Sequence, residues 1–296
     1  MSLRQTLSGT GVALVTPFRQ NMEVNLDALG RIIDHVIDGG VEYVVTLGTT
    51  GETPTLSKEE KTALIQFTYE KVNNRVPVVV GVGGNDTFSL VKELETLPLG
   101  KATAVLSASP YYNKPSQEGI YQHYKMLAAA SPKPILLYNV PGRTGRNMTA
   151  DTTLRLANEV ANIAGIKEAS GDMAQCMQIL HHRPENFLVV SGDDALVLPQ
   201  IACGMDGVIS VAANALPQPF TTMVRECLKH NFKQAKALND QLIQAYDLMF
   251  AENNPAGVKA FMTELGLLEN YLRMPMLPLS ESLHNAVKNY LKIFKP

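Results

Sequence analysis

The residue types best placed to do chemistry follow short apolar runs. The sharpest case is Ala164-Gly165-Ile166-Lys167-Glu168-Ala169-Ser170-Gly171, where a lysine stands directly after the run Ile163–Ile166. Burial disfavours the charged form of an amine and so frees the lone pair that attacks a carbonyl. Such a lysine is a candidate Schiff-base nucleophile. The rival reading makes Lys167 half of a structural ion pair with Glu168 or another carboxylate. Leu136-Leu137-Tyr138-Asn139-Val140-Pro141-Gly142-Arg143 places a phenol at the end of another run and a guanidinium just beyond it. The phenol can relay protons and the guanidinium can hold a carboxylate in two-point fashion. The bland alternative has Tyr138 packing a barrel top and Arg143 as a solvated charge.

Three further segments surround these. In Gly48-Thr49-Thr50-Gly51-Glu52-Thr53 the glycines admit close approach of a ligand to backbone. The hydroxyls and free N–H groups suit a carboxylate or phosphate, although an ordinary turn satisfying itself fits equally. Ser109-Pro110-Tyr111-Tyr112-Asn113 puts two of the ten tyrosines side by side in a loop, either for catalysis or as a subunit contact. Ser191-Gly192-Asp193-Asp194 and Gly207-Val208-Ile209-Ser210-Val211 would keep a site mouth open with small residues. Adjacent carboxylates argue against a phosphate cup there. With no histidine nearby they do not read as a metal pair, and one of them is a candidate helix cap. The six histidines show no ligand spacing, and His181-His182 reads as a helix C-terminus.

Elements of regular alternation must position these residues. Candidate strands are Thr10–Val15, Tyr43–Leu47, Val78–Val82, Ala102–Ser107, Ile135–Tyr138, Ile163–Ile166, Leu188–Ser191 and Gly207–Val211. They are continuous apolar runs, as strands buried on both faces require. Helical patterns fall between them, including Leu26–Asp38, Lys58–Val72, Thr87–Thr96 and Gly119–Ala130. Ser57 with Glu60 reads as a capping box, and Asp151, Asp172 and Asp194 as helix starters. Eight strands each followed by a helix predict an α/β chain folded as a (β/α)8 TIM barrel. A doubly wound open sheet is the rival. Its dinucleotide fingerprint fails, because Gly81-Val82-Gly83-Gly84-Asn85-Asp86 ends in Asp where glycine is needed. Residues 1–230 are assigned to the barrel. Residues 231–296 are assigned to a C-terminal helical extension with helices Phe232–Phe250, Pro255–Leu265 and Leu283–Ile293.

Composition narrows the function. The 296 residues carry 26 Lys+Arg against 28 Asp+Glu, a net charge of −2, which excludes reliance on a strong basic field for nucleic acid. A hydrophobic content of 45% excludes disorder over most of the chain. No apolar run is long enough to span a membrane. The three cysteines are scattered and none lies in a C-x-x-C pair, so neither a disulfide scaffold nor structural zinc is expected. Without an apolar leader in Met1–Thr6 the expected location is cytoplasmic.

Taken together, Gly48-Thr49-Thr50-Gly51-Glu52, Tyr138-Asn139-Val140-Pro141-x-Arg143-Thr144-Gly145 and Gly165-Ile166-Lys167-Glu168-Ala169 resemble the dihydrodipicolinate synthase family, within the N-acetylneuraminate lyase superfamily. The likeness runs from about Gly9 to the C-terminus. It implies a lyase that condenses pyruvate with L-aspartate 4-semialdehyde to give 4-hydroxy-tetrahydrodipicolinate, in the diaminopimelate branch of lysine biosynthesis. It implies a pyruvate imine on Lys167 and no organic cofactor, and the residue spacing assigns no metal. Tyr138 would donate and accept protons, with Thr49 and Tyr112 completing a relay and Tyr112 reaching in from a neighbouring subunit. Thr49 and Thr50 would bind the pyruvate carboxylate, and Arg143 that of the semialdehyde. Gly192 and Ile209 would line the pocket through their backbones. A homotetramer, as a dimer of dimers, is implied too. Thr49-Thr50, Tyr111-Tyr112 and Arg143 resemble the synthase branch more than the sugar-acid aldolases, which remain the alternative reading. A catalytically silent barrel and a phosphate-binding isomerase barrel are less well supported by these residues. Asn85 and Tyr111 match the family's lysine-inhibition site, but Lys58, Lys61 and Ser89 replace the two histidines and the glutamate of sensitive members. Two ammonium groups would repel the effector's own cation, so lysine inhibition is expected to be weak or absent.

Overall fold

The computed structural model describes residues 2–294. Its eight parallel strands are β1 (Gly9–Ala13), β2 (Tyr43–Thr46), β3 (Val78–Gly81), β4 (Ala104–Ala108), β5 (Ile135–Asn139), β6 (Ile163–Glu168), β7 (Leu188–Ser191) and β8 (Gly207–Ser210). They close in sequential order, with β8 pairing back onto β1, so the chain is a TIM barrel rather than an open sheet. The continuous apolar runs have the reason inferred for them: both faces are buried. Tyr43, Val45, Val79, Leu106, Leu136, Leu188, Val190 and Ile209 pack the barrel interior. Val44, Val80, Val105, Leu137, Ile166, Val189 and Val208 pack outward in the layer beneath the helices.

Strand ends differ from expectation where pairing, not apolarity, sets the boundary. β1 stops at Ala13, before Leu14 and Val15, and β8 stops at Ser210. β5 and β6 run further than their apolar runs, because Tyr138 pairs with Lys167 and Asn139 with Glu168. Lys167 is therefore held inside the ladder rather than following it. Between Ile135 and Leu136 the β5–β6 register shifts, so that Ile163 and Gly165 face consecutive partners and Ala164 is an extra residue.

The helices Leu26–Asp38, Lys58–Val72 and Thr87–Thr96 have the expected bounds. Ser57 and Glu60 form the reciprocal capping box, and Asp172 caps Met173–His182 by accepting from the Gln175 N–H at 3.0 Å. The other two proposed starters are corrected. Thr149, not Asp151, caps Ala150–Glu159, and Asp151 lies in its first turn. Asp194 caps no helix, because its carboxylate turns inward to accept from the Val211 and Ala212 N–H groups at 3.0 and 2.8 Å. Gln117–Ala130 starts two residues before the expected Gly119, capped by Ser116.

The C-terminal helices are Phe232–Phe250, Ala256–Glu264 and Glu281–Ile293. Leu242, Ala245, Tyr246 and Met249 join the same hydrophobic cluster as Ala212 and Ala213 beyond β8. Ala256–Glu264 crosses Phe232–Phe250 closely at Gly257, where an added Cβ would fall 2.2 Å from the Met249 carbonyl oxygen. This crossing carries the turn at Asn253-Asn254 over the barrel mouth. No helix among the described residues is long and apolar enough to cross a membrane.

Candidate active site

At the carboxyl ends of the strands lies a cavity of about 880 Å³. This is the face on which barrel enzymes build their sites, and the size suits small substrates. Lys167, Tyr138, Thr49, Thr50, Arg143 and Gly192 all line it. A smaller cavity of about 270 Å³ adjoins it, sharing Thr49, Tyr138 and Arg143 and adding Tyr111.

Lys167 points along the inward face of β6 and is only 5% exposed. Its Nζ lies 4.4 Å from the centre of the Tyr138 ring, on the paired position of β5. Among the described residues it has no carboxylate at ion-pair distance. The Glu168 alternative fails for a geometric reason, since successive strand residues face opposite sides. Glu168 turns outward, fully buried, and accepts from Asn139 Nδ2, the Ser170 N–H and Gln175 Nε2 at 2.6–3.2 Å. The amine is thus left unneutralised at the mouth of the barrel. Gly192 makes room for it: a Cβ there would lie 2.8 Å from Lys167 Cε and 2.6 Å from Ala169 Cβ.

Thr49–Gly51 forms one turn of 3-10 helix with no side chain capping its amino end. Thr50 is buried, and its hydroxyl accepts from Asn254 Nδ2 at 2.9 Å. Arg143, in the short helix Pro141–Thr144, donates from Nη2 to Asn253 Oδ1 at 2.9 Å and to the Asn254 carbonyl at 3.4 Å. A hydroxyl-and-amide turn and a guanidinium therefore flank a buried, unpaired amine with a phenol beside it.

The match to family models decides what this arrangement is kin to: residues 6–294 fit the dihydrodipicolinate synthetase family. The chain belongs to that family. It is 50% identical to the 4-hydroxy-tetrahydrodipicolinate synthase of Flavobacterium psychrophilum, over 97% of this chain and 98% of the relative. It is 46% identical to the synthase of Parabacteroides distasonis, over 97% and 96%. Among solved structures, dihydrodipicolinate synthase from Thermotoga maritima superposes with a TM-score of 0.94 at 37% identity, covering 97% of this chain and 98% of that one. The Acinetobacter baumannii enzyme, solved in complex with pyruvate, gives 0.94 at 38% identity over 97% and 98%.

Two predicted site residues of this family member stand elsewhere. Ile209 is buried in the barrel interior and lines neither cavity, whereas Val211, beyond the end of β8, lines the larger one. Tyr112 lines neither cavity, and its side chain is 87% exposed. It adopts a left-handed φ of 72°, and its N–H donates to the Thr144 carbonyl at 3.3 Å. Within one chain it does not meet Lys167.

Of the two adjacent aspartates, Asp193 lines the cavity and Asp194 lies behind its wall. Burial pushes the Asp194 carboxyl up to about 6, against the hydrogen bonds it receives from the Val211 and Ala212 backbone. In the region matched to the effector site, Lys61 is tied to Glu93 at 2.8 Å.

The sequence reading missed the outer wall. Tyr246, Asp247, Phe250, Asn253 and Asn254 line the cavity from the C-terminal helices. Behind them Lys259, fully buried, is paired with Glu52, the residue that follows the Thr-Thr-Gly turn. Burial lowers the Lys259 ammonium to about 8 despite that partner. The available signal was the Asn253-Asn254-Pro255 triplet, a turn marker between two helical patterns.

Proposed function

We propose that this chain is a 4-hydroxy-tetrahydrodipicolinate synthase acting through Lys167. The Lys167 amine adds to the keto carbon of pyruvate and water leaves, giving an imine. A methyl proton is then lost, and the resulting enamine carbon bonds to the aldehyde carbon of L-aspartate 4-semialdehyde. The semialdehyde's own amine attacks the imine carbon, closing the ring and expelling Lys167. The protonated imine is the electron sink, so the scheme calls for neither an organic cofactor nor a metal.

Tyr138 is the proton donor and acceptor nearest the amine. Thr49 links it to Tyr112 of a neighbouring subunit, which accounts for an exposed aromatic ring on a loop. Thr50 and the turn amides hold the pyruvate carboxylate. Arg143 holds the carboxylate of the semialdehyde, and the two cationic centres offset the charge of the two substrate carboxylates. Gly192 provides space for the imine, and Val211 lines the pocket beyond the end of β8. The working assembly is a homotetramer of two dimers in the cytoplasm.

The observation that carries this reading is the buried, unpaired Lys167 amine over the Tyr138 ring, with Arg143 on the same cavity. Pyruvate consumption is measured with L-aspartate 4-semialdehyde, N-acetylmannosamine or glyceraldehyde as acceptor. Turnover is expected with the semialdehyde alone. Turnover with only a sugar aldehyde would move the chain to the sugar-acid aldolases. Borohydride trapping with pyruvate should modify the Lys167 peptide, and labelling elsewhere would overturn the mechanism.

A further inference from the structure

The two carboxylate-binding points come from loops far apart in sequence, yet one short segment touches both. Asn254 Nδ2 donates to the Thr50 hydroxyl at 2.9 Å. The adjacent Asn253 Oδ1 and Asn254 carbonyl accept from Arg143 Nη2. Asn254 is almost fully buried, and its Oδ1 has no partner. A lone buried amide oxygen is a poor structural investment unless the other end of the amide matters.

One turn of helix further on, Lys259 anchors this segment. Its Nζ donates to Glu52 Oε1 and, at 2.9 Å, to the Tyr271 carbonyl, and lies 4.5 Å from the centre of the Phe18 ring. The second Glu52 oxygen accepts from the Arg273 N–H at 2.9 Å. Glu52 itself holds a left-handed φ of 53°, directly after the Thr-Thr-Gly turn. A fully buried ion pair is weak evidence for stability, because desolvation offsets most of its attraction. What it does supply is a fixed geometry between the two elements it joins.

We propose that Asn253–Lys259 is a strap that sets the separation between the pyruvate carboxylate at Thr49-Thr50 and the semialdehyde carboxylate at Arg143, with Lys259–Glu52 as its anchor. Lys259 and Glu52 are then positioning residues for the condensation, alongside the Lys167 nucleophile. This rests on the roles given above to Thr50 and Arg143.

The wild-type enzyme is first assayed with both substrates. Failure to turn over the semialdehyde sinks the synthase reading itself, independently of the strap. The double variant Lys259→Met with Glu52→Gln then removes both charges at nearly constant volume. Its melting temperature should stay close to wild type, since replacing a buried pair whole is often neutral. Both KM values should rise about tenfold or more, as expected when a held geometry is lost. Borohydride labelling of Lys167 at saturating pyruvate should remain complete. A folded double variant with both KM values within twofold of wild type would refute the proposal. So would loss of labelling at saturating pyruvate, which would place the pair's action on the nucleophile.

Two variants at the strap's contacts with Thr50 and Arg143 keep the test open should the double variant not fold. Asn254→Ala should raise the pyruvate KM about tenfold and spare that of the semialdehyde, by removing one hydrogen bond. Asn253→Gly should do the reverse, without straining a residue whose φ is 85°. Equal effects of the two variants on both KM values would overturn the assignment of one contact to each carboxylate.

Discussion

Replacing Gly192 by alanine should cripple catalysis while leaving the barrel folded. Gly192 has no left-handed φ, so the substitution tests space and not backbone strain. The new Cβ would sit 2.6 Å from Ala169 Cβ, 2.8 Å from Lys167 Cε and 3.2 Å from Lys167 Cγ. Carbon atoms in contact prefer separations of about 3.5–4.0 Å, so roughly 1 Å of movement is required. Ala169 is tied down through its N–H to the Asn139 carbonyl at 2.9 Å. The Lys167 stem must therefore give way, carrying the amine off its line over Tyr138. Misplacement of about 1 Å is worth on the order of 100-fold in rate, or about 3 kcal/mol of barrier. Overpacking itself should cost about 1–3 kcal/mol of stability. The assays are kcat with both substrates, the rate of borohydride trapping with pyruvate, and a thermal melt. A folded Gly192→Ala enzyme with kcat and trapping rate near wild type would refute the claim that this glycine exists to seat Lys167.

The buried carboxyl of Asp194, raised to about 6, gives a pH signature. Between its unfolded value near ~3.9 and its folded value the native chain holds a proton that the unfolded chain has lost, so stability falls as pH rises through that window. Asp194→Asn should flatten this slope, gaining up to about 3 kcal/mol on wild type between acid and neutral pH in urea unfolding, and parallel curves would contradict the assignment. Tyr112→Phe should lower kcat by about 100-fold. Mixing it with Lys167→Ala subunits should restore about half the wild-type turnover per mixed dimer, because one site then has both groups. No recovery on mixing would place Tyr112 in its own chain's site. Millimolar L-lysine should leave the rate nearly unchanged. With Lys61 neutralised by Glu93 the repulsion falls mainly to the exposed Lys58, so Lys58→His is the variant expected to restore sensitivity first. Strong inhibition of the wild type would show the cationic argument to be wrong.

The barrel was readable in the chain because strands buried on both faces leave continuous apolar runs, and helices such as Lys58–Val72 carry their own caps. The residues at the strand ends were readable for the same reason: Lys167, Tyr138, Thr49, Thr50 and Arg143 interrupt or follow those runs with chemistry that a core does not need. Other features depend on distance in space. Asn254 meets Thr50 across 204 positions, and Lys259 meets Glu52 across 207, with no local pattern to announce either. Asp194 looked like a cap because Asp commonly caps; only the closure of β7 beside β8 shows its carboxylate bonded to the Val211 and Ala212 amides. The role proposed for Tyr112 depends on surfaces beyond a single chain, in which its side chain is 87% exposed.

The extra residue in β6 has a consequence for which side chain reaches the cavity. Ile163 and Ile166 both face the helices although they lie three apart, an odd spacing that a regular strand does not permit. Ala164 absorbs the mismatch, and every position after it is inverted in phase. Lys167 reaches the barrel axis, and Glu168 the outer layer, because of that inversion. Were Ala164 paired as an ordinary strand position instead of being taken up by the bulge, the same letters would present a carboxylate to the cavity and bury an amine among the helices. Which side chain reaches the cavity is thus written partly as a parity, set by a bulge that takes up a single residue.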